Sequence, residues 1–359
     1  MSDCRGCGSN AVVRVLDVGK VPAADHFPLS TDPVGDDTLH DLAMDLCTVC
    51  GLAQLADDDT VTDEPRGVEP QALVDQAAAA IELVGRAGWL RGSTVREFGS
   101  PHGGTWVPLL TARGFAETIS ERPADVVLDC FGIMHEPDQR AAFRTRAAAT
   151  AEEGVLLLQF HSLETIVEQH QWNALRHGHF GYYSLTTLQR LLGDAGMSAV
   201  AAWEFDLYGG TVLIAAVHGH REPEPSVVTI LDRERDKAIA DPTTVGTLQI
   251  AADRHVGRLR AFLESERKAG RRTYAYGAAS RAVALFAIAG LDSAVLAGIA
   301  DASPAKQGRR MPATDIPIIT PAALVSADPD RVVLMLPDLL TEVSAQFPDL
   351  AGRWVVDLA

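Results

Sequence analysis

The segment Thr94-Val-Arg-Glu-Phe-Gly-Ser-Pro-His-Gly-Gly-Thr, residues 94–105, decides the fold class of this chain. A short strand pattern enters a turn marked by glycines, and a helical pattern at about 105–113 follows. In a doubly wound sheet such a turn lies at the carboxyl end of a strand and faces the ligand crevice. The segment therefore predicts an α/β domain with a ligand at this turn. An ordinary β-to-α turn without a ligand is the alternative.

The segments that follow extend this sheet. Residues 124–129 and 154–160 are continuous apolar runs, which are typical of strands buried on both faces. Helices are expected at 71–87, 138–150 and 186–195, and residues 198–205 and 211–218 predict a hairpin across Tyr208-Gly-Gly. About eleven residues separate the helix ending near 113 from the strand near 125. Their carboxylates, Glu117 and Glu121, follow no strand pattern, so we expect this domain to lack the second strand of a nucleoside-binding sheet.

Four of the five cysteines form two Cys-x-x-Cys pairs near the start of the chain, namely Cys4 with Cys7 and Cys47 with Cys50. Each pair is followed by a glycine, which permits the tight turn in which two thiolates hold one tetrahedral ion. The doubled spacing predicts a structural zinc site, because four thiolates leave no open position for catalysis. A pair of redox motifs is the alternative. Residues 57–70, rich in acidic residues, threonine and proline, are predicted to be a linker.

The last third of the chain predicts a second α/β unit. A long amphipathic helix at about 246–269 leads to Thr273-Tyr-Ala-Tyr-Gly-Ala-Ala, and strand patterns follow at 295–300, 331–336 and 354–358, with a helix near 339–347. The turn at Gly277 is expected at a helix N-terminus, where backbone N–H groups hold anions. Lys306 and Arg309 are candidates for phosphate contact, because the chain is otherwise so acidic. His255, on the long helix, is expected at the surface.

The composition limits the classes of ligand and location. The chain has 359 residues, 47% of them hydrophobic, and a formal net charge of -17. This acidic balance argues against binding nucleic acid, which needs a basic face. No long apolar run predicts a membrane span, and the N-terminus lacks the features of a signal peptide. The expectation is a cytoplasmic protein with a small-molecule substrate.

The segment from Trp172 to Leu185 concentrates residues that carry proton chemistry. It reads Trp-Asn-Ala-Leu-Arg-His-Gly-His-Phe-Gly-Tyr-Tyr-Ser-Leu, and we call it the central loop. Gly178 and Gly181 interrupt any long helix, so the segment is predicted to be a loop that presents polar side chains. Histidine ionises near neutral pH, which suits a site that moves protons. A solvated loop with incidental histidines is the alternative.

These motifs together resemble deoxysugar C-methyltransferases, which act on thymidine-diphosphate-linked keto-sugars in antibiotic biosynthesis. The cysteine pairs resemble the zinc-binding start of that family, and Glu97-Phe-Gly-Ser-Pro-His-Gly resembles its S-adenosylmethionine loop, where the usual text is nearer Glu-Ile-Gly-Ser-Asn-Asp-Gly. Arg176-His-Gly-His-Phe-Gly-Tyr-Tyr-Ser-Leu resembles its catalytic Tyr-His-Glu-His segment, and Gly209-Gly-Thr its Gly-Gly-Ser. Tyr276-Gly-Ala-Ala and Asp301-Ala-Ser-Pro-Ala-Lys-Gln-Gly-Arg resemble its C-terminal domain.

The resemblance implies an α/β protein with an N-terminal zinc-binding module and two Rossmann-like domains. These are a zinc module at 1–65, a shortened S-adenosylmethionine-type domain at 66–222 and a nucleotide-sugar-binding domain at 223–359. The implied cofactor-binding residues are Glu97, Gly99, Ser100, Gly103 and His135. The implied substrate-binding residues are Tyr276, Gly277, Lys306, Arg309 and Gly209, and the implied zinc ligands are Cys4, Cys7, Cys47 and Cys50.

By position, the family's catalytic base falls on His179, and His177 matches a second family histidine. Arg176 replaces a tyrosine, and Gly178 replaces a glutamate that would orient the base. Arginine is not a proton donor near neutral pH, but it stabilises an enolate by charge and would keep a neighbouring imidazole neutral. Tyr182 is a further candidate for proton donation. The family's aromatic segment after the zinc module is also replaced here, by Glu64-Pro-Arg-Gly-Val.

Three functions are compatible with these features. The first is a C-methyltransferase that uses S-adenosylmethionine and an enolised keto-sugar nucleotide. The second is an enzyme on the same scaffold that uses His179 and Arg176 for enolisation, epimerisation or a lyase step without that cofactor. The third is a non-catalytic binding protein or partner subunit. Binding of S-adenosylmethionine separates the first from the others, because fold alone does not fix function.

Overall fold

The computed structural model describes residues 3–60, 71–101, 103–118 and 122–356. Its N-terminal module is an antiparallel sheet in which β2 pairs with both β1 and β3. The bounds of these strands are β1 (Val12–Pro22), β2 (Leu39–Cys47) and β3 (Ala53–Leu55). Of the linker predicted at 57–70, residues 57–60 are coil and the remainder lies outside the described residues, as do Glu121 and the Glu64-Pro-Arg-Gly-Val segment.

The middle domain contains a six-stranded sheet in the order β5-β4-β6-β7-β10-β9. The strands from β5 to β7 are parallel, and β10 runs antiparallel to both β7 and β9, so the predicted terminal hairpin is present. The elements are α1 (Gln71–Arg86), β4 (Thr94–Phe98), α2 (Val107–Thr111), β5 (Ala116–Glu117), β6 (Ala124–Cys130), α3 (Gln139–Ala149), β7 (Thr150–His161), α4 (Leu163–Glu168), β8 (Gly181–Tyr182), α5 (Leu185–Asp194), β9 (Met197–Phe205), β10 (Thr211–His218) and α6 (Pro225–Asp236).

One prediction for this domain was wrong, because a second strand does lie beside β4. β5 pairs in parallel with β4, with Ala116 opposite Thr94 and Glu117 opposite Val95. The strand has only two residues and both are exposed, so it carries neither the apolar run nor the alternation that predicts a strand. Glu117 therefore ends the strand that flanks β4, the position at which nucleoside-binding sheets carry their acidic residue.

The C-terminal domain has a parallel sheet in the order β13-β12-β11-β14-β15, which is a doubly wound arrangement. After α6, which packs against α5 and β9, its elements are α7 (Pro242–Lys268), β11 (Thr273–Tyr276), α8 (Ser280–Ile288), β12 (Ile299–Ala300), β13 (Ile318–Ile319), α9 (Pro321–Ser326), β14 (Arg331–Leu334), α10 (Leu340–Gln346) and β15 (Trp354–Val356). The fold class is thus confirmed as mixed α/β with two Rossmann-like sheets. No helix among the described residues is long and apolar enough to cross a membrane.

The central loop lies between the domains and is buried, so it is not a solvated loop. Trp172, His177, His179 and Tyr182 are each at most 2% exposed. Trp172 Nε1 donates a hydrogen bond of 3.1 Å to His255 Nδ1, and His255 is only 1% exposed. The surface position predicted for His255 is wrong, because the central loop covers that face of α7.

Candidate functional site

The four cysteine sulfurs converge to form one metal-sized cluster. The Cys4 and Cys50 sulfurs are 3.4 Å apart, those of Cys7 and Cys47 are 3.6 Å apart, and all four lie within 4.8 Å of one another. A tetrahedral zinc ion with Zn–S bonds of about 2.3 Å separates its sulfurs by about 3.8 Å. The cluster therefore fits a structural zinc ion with four thiolate ligands.

The zinc module holds the central loop through backbone pairing. β8, within the loop, joins the edge of the module's sheet, with Ala53 opposite Tyr182 and Gln54 opposite Gly181. Asp58, just beyond β3, accepts a hydrogen bond of 2.7 Å from Gly178 N. Gly178 has a φ of 75°, the left-handed region that favours glycine. The module thus fixes the loop at both its turn and its strand.

Two histidines and one arginine meet at this loop. The rings of His135 and His179 are 4.4 Å apart in an edge-to-face arrangement, and Arg176 Nη2 lies 3.5 Å from His179 Nδ1. His135 Nδ1 lies 3.0 Å from Gly178 O, which only accepts, so this nitrogen carries a hydrogen. Arg176 Nη1 donates to Ser280 Oγ at 2.5 Å, at the start of α8. The arrangement places two imidazoles beside a permanent cation.

The glycine turn after β4 is held open by a carboxylate. Glu97 accepts hydrogen bonds from Trp106 N at 2.8 Å and from Thr105 Oγ1 at 2.5 Å, which fixes the turn where α2 begins. Burial and the charge of Glu117 raise the pKa of Glu97, so the two carboxylates lie near one another. A side chain at Gly99 would meet no atom within 4 Å, and Gly103 has a φ of 88°. This turn and Glu117 together suit a nucleoside cofactor.

The turn that follows β6 connects the glycine turn with the histidines. A Cβ added at Gly132 would lie 3.0 Å from Phe98 O and 3.1 Å from Gly99 O, so the two turns touch. Phe180 N donates to Met134 O at 2.6 Å, which joins the same turn to the central loop. A small, partly enclosed cavity of about 10 Å³ lies here, and it is lined by Phe131, Ile133, Met134, Gln159, Phe160, His161, Gly181, Tyr182 and Tyr183.

The candidate substrate residues of the C-terminal domain gather around the turn between β11 and α8. Gly277 has a φ of 94°, and Lys306 Nζ donates to Ala278 O at 2.9 Å. Tyr276 packs between aromatic rings of the domain core. Arg309 points elsewhere, since its Nη1 donates to Phe27 O of the zinc module at 2.5 Å. Lys306 thus lies at the predicted anion-binding turn, whereas Arg309 connects two domains.

Comparison with known proteins identifies two of the three domains. Residues 206–358 match the family model described as "C-methyltransferase C-terminal domain", and residues 4–62 match the one described as "Putative zinc binding domain". The C-methyltransferase NovU of Streptomyces niveus is 24% identical over 403 aligned positions, which include all of this chain and 96% of NovU. The chain is thus similar to a C-methyltransferase along its whole length, and its C-terminal part matches the domain model of that family. The zinc-binding module and the methyltransferase class predicted from the sequence are thereby confirmed.

Solved structures similar to part of this chain are more distant. A Burkholderia thailandensis 1,6-didemethyltoxoflavin-N1-methyltransferase with bound S-adenosylhomocysteine covers 47% of this chain and 96% of its own, with 11% identity and a TM-score of 0.30. The PH0226 protein of Pyrococcus horikoshii OT3 covers 43% and 94%, with 11% identity and a TM-score of 0.34. At these scores the superpositions add nothing to the strand order described above.

The remaining catalytic candidates of this chain, His177 and Tyr182, have structural partners. His177 Nε2 lies 3.2 Å from Asp41 O, against the zinc module, and burial lowers the pKa of this histidine. The Tyr182 hydroxyl accepts from Arg176 N at 3.0 Å and donates to Ala174 O at 3.3 Å, so it closes the loop on itself. Both remain predictions as catalytic residues.

Ser100 and Gly209, the other two candidates, lie in turns. Ser100 O accepts a hydrogen bond from Gly103 N within the glycine turn. Gly209 has a φ of 82°, and its carbonyl accepts from Gln169 Nε2 at 2.6 Å.

Two residues of this site, Asp58 and Ser280, were not predicted from the sequence. Asp58 lay within an acidic run interpreted as linker, and Ser280 carries no local motif, so neither offered a signal.

Proposed function

We propose that this protein transfers a methyl group from S-adenosylmethionine to the carbon next to the ketone of a nucleotide-linked sugar. The observation that supports this most strongly is the unbroken series of contacts across the site. The glycine turn touches the turn at Gly132, the latter touches the central loop, and Arg176 of that loop reaches α8 of the C-terminal domain. A cofactor at the first turn and a substrate at the last would therefore face the same two imidazoles.

The residues at the glycine turn fit the cofactor. Gly99 leaves open space above the turn, and Glu117 ends the neighbouring strand, where a carboxylate accepts hydrogen bonds from ribose hydroxyls. Bound S-adenosylmethionine would supply an electrophilic methyl group and leave as S-adenosylhomocysteine.

The chain's own residues would generate the nucleophile. A histidine removes the proton from the carbon next to the ketone, and the C–H electron pair is delocalised to give an enolate. The same carbon then attacks the methyl group and forms the new C–C bond. Arg176 is placed to stabilise the enolate oxygen, since its charge persists at any working pH. His179 is the proposed base because it lies beside Arg176 and follows Gly178, whose turn is fixed by Asp58.

The hydrogen-bond geometry makes His135 a second candidate for the base. Its Nδ1–H faces Gly178 O, so the lone pair of the neutral ring is on Nε2. Arg176 only donates, so its contact with His179 keeps the lone pair of that ring on Nδ1. The two neutral rings therefore present different nitrogens for proton transfer, and the roles are separable by mutation.

Solvent exchange tests this proposal. In deuterium oxide the wild type should exchange the proton next to the ketone of a thymidine-diphosphate-linked keto-sugar, as followed by proton NMR. His179→Ala and His179→Asn should lower the exchange rate by about 10²–10⁴ while substrate affinity stays within a few-fold. His220→Asn, at an exposed histidine, is the matched control and should exchange normally. If His179→Ala keeps most of the rate and His135→Asn loses it, the base is His135.

A second test addresses the nucleotide. Thymidine diphosphate should raise the melting temperature, because a ligand that binds the native state stabilises it. The shift should shrink in Lys306→Ala, because Lys306 lies at the anion-binding turn. Absence of a shift at millimolar ligand, or an equal shift in the variant, would count against the phosphate site. A wild type that neither exchanges the proton nor binds S-adenosylmethionine would favour a non-catalytic protein.

A further inference from the structure

Arg176 is a partly buried cation at the centre of the site with no carboxylate beside it in the described part of the chain. Its Nη1 donates to Ser280 Oγ, and its Nη2 makes only a long contact of 3.5 Å with His179. Its Nε is buried and has no hydrogen-bond partner among the described residues. The carboxylate of Asp58 is used by Gly178 N and forms no ion pair with Arg176. Part of this guanidinium is therefore available for another acceptor.

Other buried arginines of this protein are paired. Arg146 Nε lies 2.8 Å from Asp129 Oδ2, and Arg310 Nη1 lies 2.6 Å from Asp37 Oδ2. Pairing is expected, because withdrawing a cation from water without an anionic partner costs several kcal/mol. Arg176 departs from this pattern at the point where a substrate would bind. This difference points to an anion that arrives with the ligand.

The geometry of the available donors indicates which anion this is. Nη1 is occupied by Ser280, which leaves Nε and Nη2 along one edge of the planar group. Two parallel N–H donors along one edge match two oxygens of either a carboxylate or a phosphate, so the position of the site has to distinguish them. The same edge faces His179, so the anionic group would lie next to the carbon that reacts. A phosphate of the nucleotide would instead be expected nearer Lys306, whose Nζ donates to Ala278 O on the turn that precedes α8.

We propose that the methyl acceptor carries a carboxylate close to its reacting carbon, bound by Nε and Nη2 of Arg176, and is therefore a sugar acid or a similar oxo acid. This inference rests on the proposed function, which supplies the reaction and the general nature of the methyl acceptor. Removing a proton from such a substrate would place a second negative charge beside the first. Arg176 would offset that charge, whereas an uncharged side chain at this position would suit a neutral sugar.

A matched pair of ligands tests the carboxylate. UDP-glucuronate and UDP-glucose share one nucleotide and differ at the sugar carboxylate. Isothermal calorimetry should show the wild type binding UDP-glucuronate about tenfold tighter or more, the equivalent of one additional strong contact. Arg176→Gln should abolish this preference and leave the affinity for UDP-glucose and thymidine diphosphate unchanged. Arg235→Gln, at an exposed arginine, is the control and should keep the preference.

Two further variants guard against a folding defect in Arg176→Gln. Arg176→Lys retains the charge but lacks the edge with two N–H donors. Ser280→Ala removes only the hydrogen-bond acceptor of Nη1. Both variants should reduce the preference for UDP-glucuronate without eliminating it. Equal affinity of the wild type for the two nucleotide sugars overturns the proposal. So does an Arg176→Gln variant that loses affinity for thymidine diphosphate, because Arg176 would then hold phosphate.

The same experiment separates this inference from the proposed function. If neither nucleotide sugar nor thymidine diphosphate binds, the nucleotide-sugar function fails, and free glucuronate against glucose then tests the carboxylate alone. A preference for glucuronate that disappears in Arg176→Gln would support the carboxylate site without the nucleotide. Equal affinity for free glucuronate and free glucose would overturn the carboxylate site as well.

Discussion

The ion pair between Arg310 and Asp37 should be a major contributor to the stability of the contact between the zinc module and the C-terminal domain. The two side chains are 2% and 9% exposed, and two hydrogen bonds of 2.6 Å and 2.8 Å join them. Arg310 also donates to the carbonyl oxygens of Asp32, Pro33 and Thr314. The Asp37 carboxylate accepts from Ala313 N at 2.6 Å as well. The guanidinium is thus enclosed by acceptors from both domains.

Replacing Arg310 by methionine keeps much of the volume but removes two hydrogen bonds to this carboxylate and three to carbonyl oxygens, and it leaves the carboxylate with Ala313 N alone among these donors. Loss of one partner from a buried ion pair costs about 3–5 kcal/mol of unfolding free energy. At about 2–4 °C per kcal/mol, the melting temperature should fall by roughly 6–20 °C if the two domains unfold together. Lys20→Met, in a pair whose side chains are 64% and 75% exposed, should change stability by less than about 0.5 kcal/mol.

Calorimetric melting of Arg310→Met, Asp37→Asn and the double variant measures this contribution. The double variant should lose less than the sum of the single losses, with a coupling of about 0.5–3 kcal/mol. Burial alone would raise the pKa of Asp37, but hydrogen bonds from Arg310 and Ala313 N outweigh it and lower that pKa. The stabilisation should therefore be complete at neutral pH and be lost as the pH falls below about 3.9, the ordinary value for an aspartate. A loss below 1 kcal/mol in Arg310→Met, or purely additive variants, would refute this reasoning.

Two further predictions concern the zinc cluster and Gly209, which lies in the turn before β10. Metal analysis should find about one zinc per chain. Cys47→Ala should yield poorly soluble protein, because the cluster holds two distant segments together. A metal-free chain that stays folded and monodisperse would contradict this prediction. Gly209→Ala should lower the unfolding free energy by about 1–2 kcal/mol, since its φ of 82° strains any side chain and the new methyl would displace Gln169. Gly193→Ala, in the last turn of α5 with open space around it, should instead be neutral or stabilising by up to about 1 kcal/mol. Equal losses in the two glycine variants would show that backbone strain is not the cause.

Much of the fold was predictable because its central strands are continuous apolar runs. β6 and β7 bury both faces, so their composition alone indicates parallel strands, and residues 211–218 predicted the hairpin strand β10 with the same bounds. The cysteine spacing indicated the zinc cluster for a similar reason, since the ligand geometry is local. β5 was missed because an exposed two-residue strand has no pattern to detect.

The less predictable part of the site depends on contacts between residues distant in the chain. β8 pairs with β3, more than a hundred residues earlier, and neither strand exceeds three residues. The contact of Arg176 with Ser280 and the burial of His255 arise in the same way, from docking of the central loop on the C-terminal domain. Local sequence indicated which residues carry the chemistry, but it could not indicate which of them would meet.

Calorimetry with S-adenosylmethionine tests the central claim of a cofactor-dependent methyltransferase most directly. The wild type should bind one equivalent per chain. Glu117→Ala should weaken binding by about tenfold or more, because a carboxylate that accepts from ribose hydroxyls makes charge-assisted bonds. Glu152→Ala, at an exposed carboxylate on β7, is the control and should bind as the wild type does. A wild type that shows no heat of binding at millimolar S-adenosylmethionine, while still folded and loaded with zinc, would contradict the account.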